Sequence, residues 1–285
     1  MPQPLVEALE LAVNRLVARS LPGERRAAGV GLGTELAQLR PYEIGDDVRR
    51  IDPSATARTG KPHVRLHVPE RALTTWVVLD ISPSMAFGTE RRLKADVAEG
   101  VVLVLGRLGV RRAGRIGAVA FAAGVVQVLP PHGARRGVHA LRELLARGVA
   151  LDGCGDPGGL AEALGRVRTL AQRPALVVVV SDFRDQRDWL SPLAAVRLRH
   201  SVLALEVHDP REATLPAVGR LTLVNPESGE RLDVDTSSVR LRRRFEELER
   251  ERREALTRDL RRLGVQHIAL DTDGDWLAQL GRGLR

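Results

Sequence analysis

From Thr74 onward, apolar and polar positions alternate between two rhythms. "TTWVVLD" (74–80), "ALVVVVSD" (175–182) and "SVLALEVHD" (201–209) are short, almost continuously apolar runs that end on an acid. Between them, apolar residues recur every three or four positions. Leu93, Val97, Val101, Leu105 and Leu108 predict a helix over 90–109. Val138, Leu141 and Leu145 predict another, and Leu160, Leu164 and Val167 a third. Continuous apolar strands separated by amphipathic helices predict an α/β fold: a doubly wound, mostly parallel sheet covered on both faces. "RIGAVAFAA" and "VVQVLP" read as two strands joined tightly through Gly124. "GRLTLVNPESGERLDVDT" reads as a strand pair. The segment 239–263 reads as one long charged helix, "GVQHIALDT" as the last strand, and 276–280 as the last helix.

Ahead of Thr74 the pattern differs. Leu5, Leu9, Leu16 and Val17 suggest a short amphipathic helix. A stretch punctuated by glycine and rich in charge follows over 29–60, and "HVRLHV" then alternates as a strand. Two domains are therefore expected: an N-terminal helix with a β-rich module over 1–72, and an α/β domain over 73–285.

Composition narrows the function classes. The chain has 285 residues, 44% hydrophobic but only 3% aromatic, so its core must be built from Val, Leu, Ile and Ala. The formal charge is +8, yet Lys61 and Lys94 are the only lysines, and the arginines are interleaved with acids. With few aromatics to stack on bases and no basic stripe, nucleic acid is not the expected partner. No apolar run approaches the roughly 20 residues of a membrane helix, and the start lacks a basic leader region. Cys154 is the lone cysteine, flanked by Asp152 and Asp156, which suits neither a disulfide nor a nucleophile. A cytoplasmic location is expected.

Candidate chemistry gathers at the strand ends. Asp80, Ser82 and Ser84 occupy alternate positions after the first buried strand, so in extended backbone they face one way. Asp182 follows the second. In an open parallel sheet, ligands bind beyond the carboxyl ends of the strands. Two carboxylates with the hydroxyls of Ser82 and Ser84, and Ser181 as a further candidate, form a hard oxygen donor set suited to Mg²⁺ or Mn²⁺. The same residues also read as an ordinary turn, because Asp and Ser side chains bond nearby backbone N–H groups.

The Asp-x-Ser-x-Ser pattern resembles the metal-ion-dependent adhesion site of von Willebrand factor A domains. "GVGLGTELAQLRPYEIGDDVRRIDPSATARTGKPHVRLHVPERA" before it and "HDPREATLPAVG" after it resemble the DUF58 family, with the resemblance running from about Gly29 to the end. It implies a divalent ion held by Asp80, Ser82 and Ser84 from one loop and by Asp182 from another. A threonine from a further loop would fall near Gly158, where no hydroxyl is present and Asp156 or a water would have to stand in. Pro53 stands where the family usually has Trp. The resemblance implies a protein-binding adaptor rather than an enzyme, with a partner's carboxylate completing the ion's shell and a MoxR-type AAA+ ATPase as partner.

Two alternatives stay open. One is a metal-dependent hydrolase, for which His208 is the strand-end candidate acid or base. The other is a metal-independent interaction scaffold. "GDDVRRID" supplies a second candidate surface through Asp46, Asp47, Arg49 and Arg50; its plain reading is a salt-linked turn in which Arg49 or Arg50 pairs with a neighbouring acid. "ARTGKP" lacks the early glycine of a phosphate loop and has Pro62 after Lys61. His63 and His67 share a strand face but lie too far apart for one metal.

Overall fold

In the computed structural model, the described residues are 35–68, 74–88, 91–111, 114–122, 125–146, 148–150, 159–185 and 188–284. They fall into two units that divide before Leu73. The expected N-terminal helix, the 29–33 glycine turn, Cys154, Asp156 and Gly158 lie outside the described residues.

In the N-terminal unit, β1 (Glu35–Pro41) pairs antiparallel with β2 (His63–Val68), with a bulge between Leu36 and Gln38. A single turn of 3-10 helix (Val48–Arg50) and α1 (Pro53–Thr59) connect them. Pro53 opens α1 at a position where its missing N–H costs nothing, and the Asp52 carboxylate caps the helix through Ala55 N–H at 2.7 Å. Gly60 ends it in the left-handed conformation, φ 71°. The "TGK" segment thus closes a helix and leads into a strand, the reverse of a phosphate loop.

The larger unit is built on a six-stranded sheet. Its strands are β3 (Thr74–Asp80), β4 (Arg115–Ala122), β5 (Val125–Gly133), β6 (Leu176–Ser181), β7 (Ser201–His208) and β10 (Gln266–Asp271). The order is β10-β7-β6-β3-β4-β5, parallel throughout except for the edge strand β5, which returns antiparallel from β4. Successive side chains point to opposite faces. Val77 and Leu79 enter one core with Val97 and Val101 of α2 (Lys94–Arg111), Leu141 of α3 (Ala134–Leu145) and Leu280 of α7 (Trp276–Gly283). Trp76 and Val78 enter the other core. Their neighbours there are Leu164 of α4 (Gly159–Leu170), Leu193 of α5 (Leu190–Arg197) and Leu260 of α6 (Val239–Arg262). Burial on both faces is why the strands lack period-two alternation.

The strand pair β8 (Arg220–Val224) and β9 (Arg231–Asp235) forms a separate antiparallel hairpin. Helix α6 buries Leu256 and Leu260, both in its second half. Its first half is held by polar contacts, including Arg242 Nη1 donating to the Thr236 carbonyl at 2.6 Å. No helix among the described residues is long and apolar enough to cross a membrane.

Candidate functional site

Strand β3 is central. Its chain continues to β4 on one side, while β6 lies on the other, so the strand order reverses between β3 and β6. Loops leaving a sheet at such a point part to opposite faces and open a crevice. Asp80 ends β3, and Ser181 ends β6 with Asp182 next in sequence. All three are buried.

The predicted residues meet there. Ser181 Oγ donates to Asp80 Oδ2 at 2.5 Å, and Ser82 N–H donates to Asp80 Oδ1 at 3.0 Å. Ser82 starts a single 3-10 turn (Pro83–Ala86), but its hydroxyl makes no cap. Instead Ser82 Oγ lies 3.1 Å from Ser84 Oγ. Ser84 also lies close enough to Asp182 to favour its charged form. The turn reading therefore accounts for one Asp80 oxygen, not for the paired hydroxyls. Phe183 holds φ 53°, uncommon for a residue with a Cβ, and its N–H donates to Ser181 Oγ at 3.0 Å. This tight bend carries the chain past Asp182.

The two carboxylates differ in charge state. Burial, then the neighbouring Asp182, pushes the Asp80 carboxyl up to about 7, against the pull of hydrogen bonds from Ser181 and Ser82. Burial acts on Asp182 the same way but is outweighed by Lys94 and Arg184, which hold its carboxyl below the ordinary value. Asp182 Oδ1 accepts the Arg184 N–H at 3.1 Å, and Oδ2 accepts Lys94 Nζ at 2.7 Å.

Sequence reasoning missed the residues behind this shell. Lys94 Nζ also donates to Glu212 Oε1 at 2.7 Å. Arg184 lies 3.6 Å from Glu212 and forks onto both oxygens of Glu249 at 3.1 and 2.9 Å. Glu212 belongs to "HDPRE", where Asp209 and Glu212 form a reciprocal capping box, and Thr272 Oγ1 donates to Asp209 at 2.6 Å. One signal was available. The helix expected from residue 90 begins at Lys94, so Leu93 is 40% exposed and the stripe turns Lys94 inward instead.

Beside the turn, a groove of about 690 Å³ is lined by Pro83, Phe87, Leu215, Pro216, Leu221 and Pro226. The hairpin tip crosses to the same turn: Ser84 N–H donates to Glu227 Oε1 at 3.0 Å. His208 is the buried last residue of β7, with Nε2 2.6 Å from Asp271 Oδ1. In the N-terminal unit, Asp46 accepts from Arg40 at 2.7 Å and from Glu43 N–H at 2.9 Å. Asp47 caps the 3-10 turn through Arg49 N–H at 3.0 Å. Arg40 thus supplies one salt link to this turn; the Arg50 side chain lies outside the described ones. His63 bonds Thr59 and Lys61 locally.

The donor set fits a hard divalent ion: carboxylate and hydroxyl oxygens converge, and no cation pairs with Asp80 among the described residues. Among those residues there is also no cluster of three or more His, Cys, Asp and Glu, so hydroxyls would have to complete any shell.

"Uncharacterized protein Rv1480" of Mycobacterium tuberculosis is 35% identical over 279 residues, which cover 97% of this chain and 87% of that protein. Among solved structures, BatB from Bacteroides thetaiotaomicron aligns at TM-score 0.48 and 15% identity, over 74% of this chain and 97% of that one. The VWA domain of SpRpn10 aligns at TM-score 0.36 and 10% identity, over 73% and 93%. The family model described as "Protein of unknown function DUF58" matches residues 38–255, and the chain belongs to that family.

Proposed function

We propose that this protein is a non-enzymatic adaptor that binds a protein partner at the carboxyl ends of β3 and β6. The observation that carries this reading is the convergence of Asp80, Ser82, Ser84 and Asp182 at the point where the strand order reverses. Asp80, Ser82 and Ser84, with Asp182 beside them, would hold Mg²⁺ or Mn²⁺. Such an ion would supply a Lewis-acidic position open to a partner's Asp or Glu carboxylate. The chain's own residues fix the geometry: Ser181 and the Ser82 N–H orient Asp80, and Lys94 and Arg184 orient Asp182. The apolar groove beside Pro83 and Phe87 offers contact area that a small ionic ligand does not need.

A binding role is favoured over hydrolysis because a hydrolase needs an acid or base beside the ion. His208, the strand-end candidate, is engaged by Asp271, and its buried ring is held below the ordinary histidine value. By family resemblance, the partner is a MoxR-type AAA+ ATPase. Asp47 and Arg49, exposed beside Ile44 and Val48, offer a second contact surface.

The test is surface-plasmon binding of a purified MoxR-type ATPase from the same organism to wild type and to Asp80→Ala. Binding in Mg²⁺ that is lost in EDTA and in the variant supports the reading. Equal binding under all conditions would move recognition to a metal-independent surface.

A further inference from the structure

The chain carries 44 basic residues, and only two are lysines. One of these, Lys94, is wholly buried. It opens α2 directly after the Asp80 loop, and its Nζ sits 2.7 Å from Asp182 Oδ2 and 2.7 Å from Glu212 Oε1. An ammonium removed from water is costly unless carboxylates surround it. The second acid is itself fixed, because Glu212 is capped against Asp209 and Asp209 is tied to Thr272. With three donors on one nitrogen, the ammonium serves both carboxylates at once. The clamp is therefore a built feature of the fold.

Its consequence falls on the strand-end site. Asp182 already gives one oxygen to Lys94 and the other to the Arg184 N–H. Asp80 has no ion pair among the described residues; its oxygens accept from a hydroxyl and a backbone N–H. One carboxylate of the pair is thus neutralised from inside the protein, and the other is left for an external cation.

We propose that Lys94 is the built-in counter-cation of this site: its ammonium takes Asp182 out of the ligand set, so that Asp80, Ser82 and Ser84 alone hold the ion, and its charge sets a weak affinity for that ion. The inference rests on the ion-site reading given above. Lys94 acts through Asp182 and is a positioning residue.

The experiment is calorimetric titration of Mn²⁺ into wild type, Lys94→Gln and the double variant Lys94→Gln/Asp182→Asn, with melting curves in Mn²⁺ and in EDTA. Removing the ammonium frees a carboxylate and lifts a like-charge repulsion, so Lys94→Gln should bind Mn²⁺ at least about tenfold more tightly. In EDTA it should melt roughly 5–10 °C below wild type, and Mn²⁺ should restore several of those degrees. The double variant removes both charges together and should bind within about threefold of wild type, because Asp182 is not a ligand. Should Lys94→Gln fail to fold, the double variant decides.

Unchanged or weaker binding by Lys94→Gln, or loss of binding in the double variant, overturns the inference and leaves the ion-site reading standing if wild type binds. Binding by Lys94→Gln but not by wild type supports the inference and overturns the ion reading for the natural chain. No binding by any of the three overturns both.

Discussion

Replacing Asp80 with asparagine isolates a carboxylate that has no cationic partner among the described residues. The folded carboxyl sits at about 7 against an ordinary 3.8, raised by burial and by Asp182. An acid whose folded value is raised keeps a proton that the unfolded chain has released. Its contribution to stability is complete below pH 3.8 and is lost as pH rises through about 7. A gap of about three units corresponds to a ceiling of about 4 kcal/mol. Asparagine cannot ionise, can still accept from the Ser82 N–H, and can place its amide against Ser181 Oγ. In EDTA at pH 8, Asp80→Asn should be more stable than wild type by about 1–3 kcal/mol, below that ceiling because the loop can relax. At pH 4.5, just above the unfolded value, the difference should shrink to about 1 kcal/mol or less, and below pH 3.8 it should close. Urea unfolding followed by tryptophan fluorescence suits the measurement, since Trp76, Trp189 and Trp276 all lie in the larger unit. Adding Mg²⁺ at pH 8 should raise the wild-type midpoint and leave the variant unmoved. An asparagine variant less stable than wild type at pH 8 in EDTA would refute the idea that Asp80 lacks a cationic partner.

Other consequences follow from the same contacts. Glu249→Ala strips the bidentate partner from Arg184, whose side chain is largely buried, and should cost about 2–4 kcal/mol by urea unfolding, with little change in Glu249→Ala/Arg184→Met relative to the single variant. Burial holds His200 below its ordinary value, so it stabilises the fold above pH 6.5 and that contribution is lost as pH falls; His200→Leu should flatten the decline of melting temperature between pH 7 and 5. At Gly137 in α3 an added Cβ would meet Ile116 Cγ2 at 2.1 Å, so Gly137→Ala should lose about 1–3 kcal/mol by overpacking despite the better helix propensity of alanine.

The sheet was legible because its strands are buried on both faces: "VVVV" between a helix stripe and an acid admits few other placements, and the observed strand follows it. The edge strand β5 was equally readable, since its polar alternation marks a half-exposed hairpin partner of β4. Asp80, Ser82, Ser84 and Asp182 could be named from the sequence because strand ends and alternate spacing are local properties. The clamp behind them was not. Lys94, Arg184, Glu212 and Glu249 are brought together from four segments by tertiary packing, and a lysine inside a helix stripe reads by default as a solvated position. "GDDVRRID" was legible as a turn, but the Arg40 contact to Asp46 was not, because it comes from the preceding strand.

The most direct measurement is calorimetric titration of Mn²⁺ into the wild-type protein beside Asp80→Ala. One weak, saturable site is expected in the wild type and none in the variant, with circular dichroism showing the variant folded. Equal heats in both proteins, or no binding in either, would contradict an ion site at the end of β3.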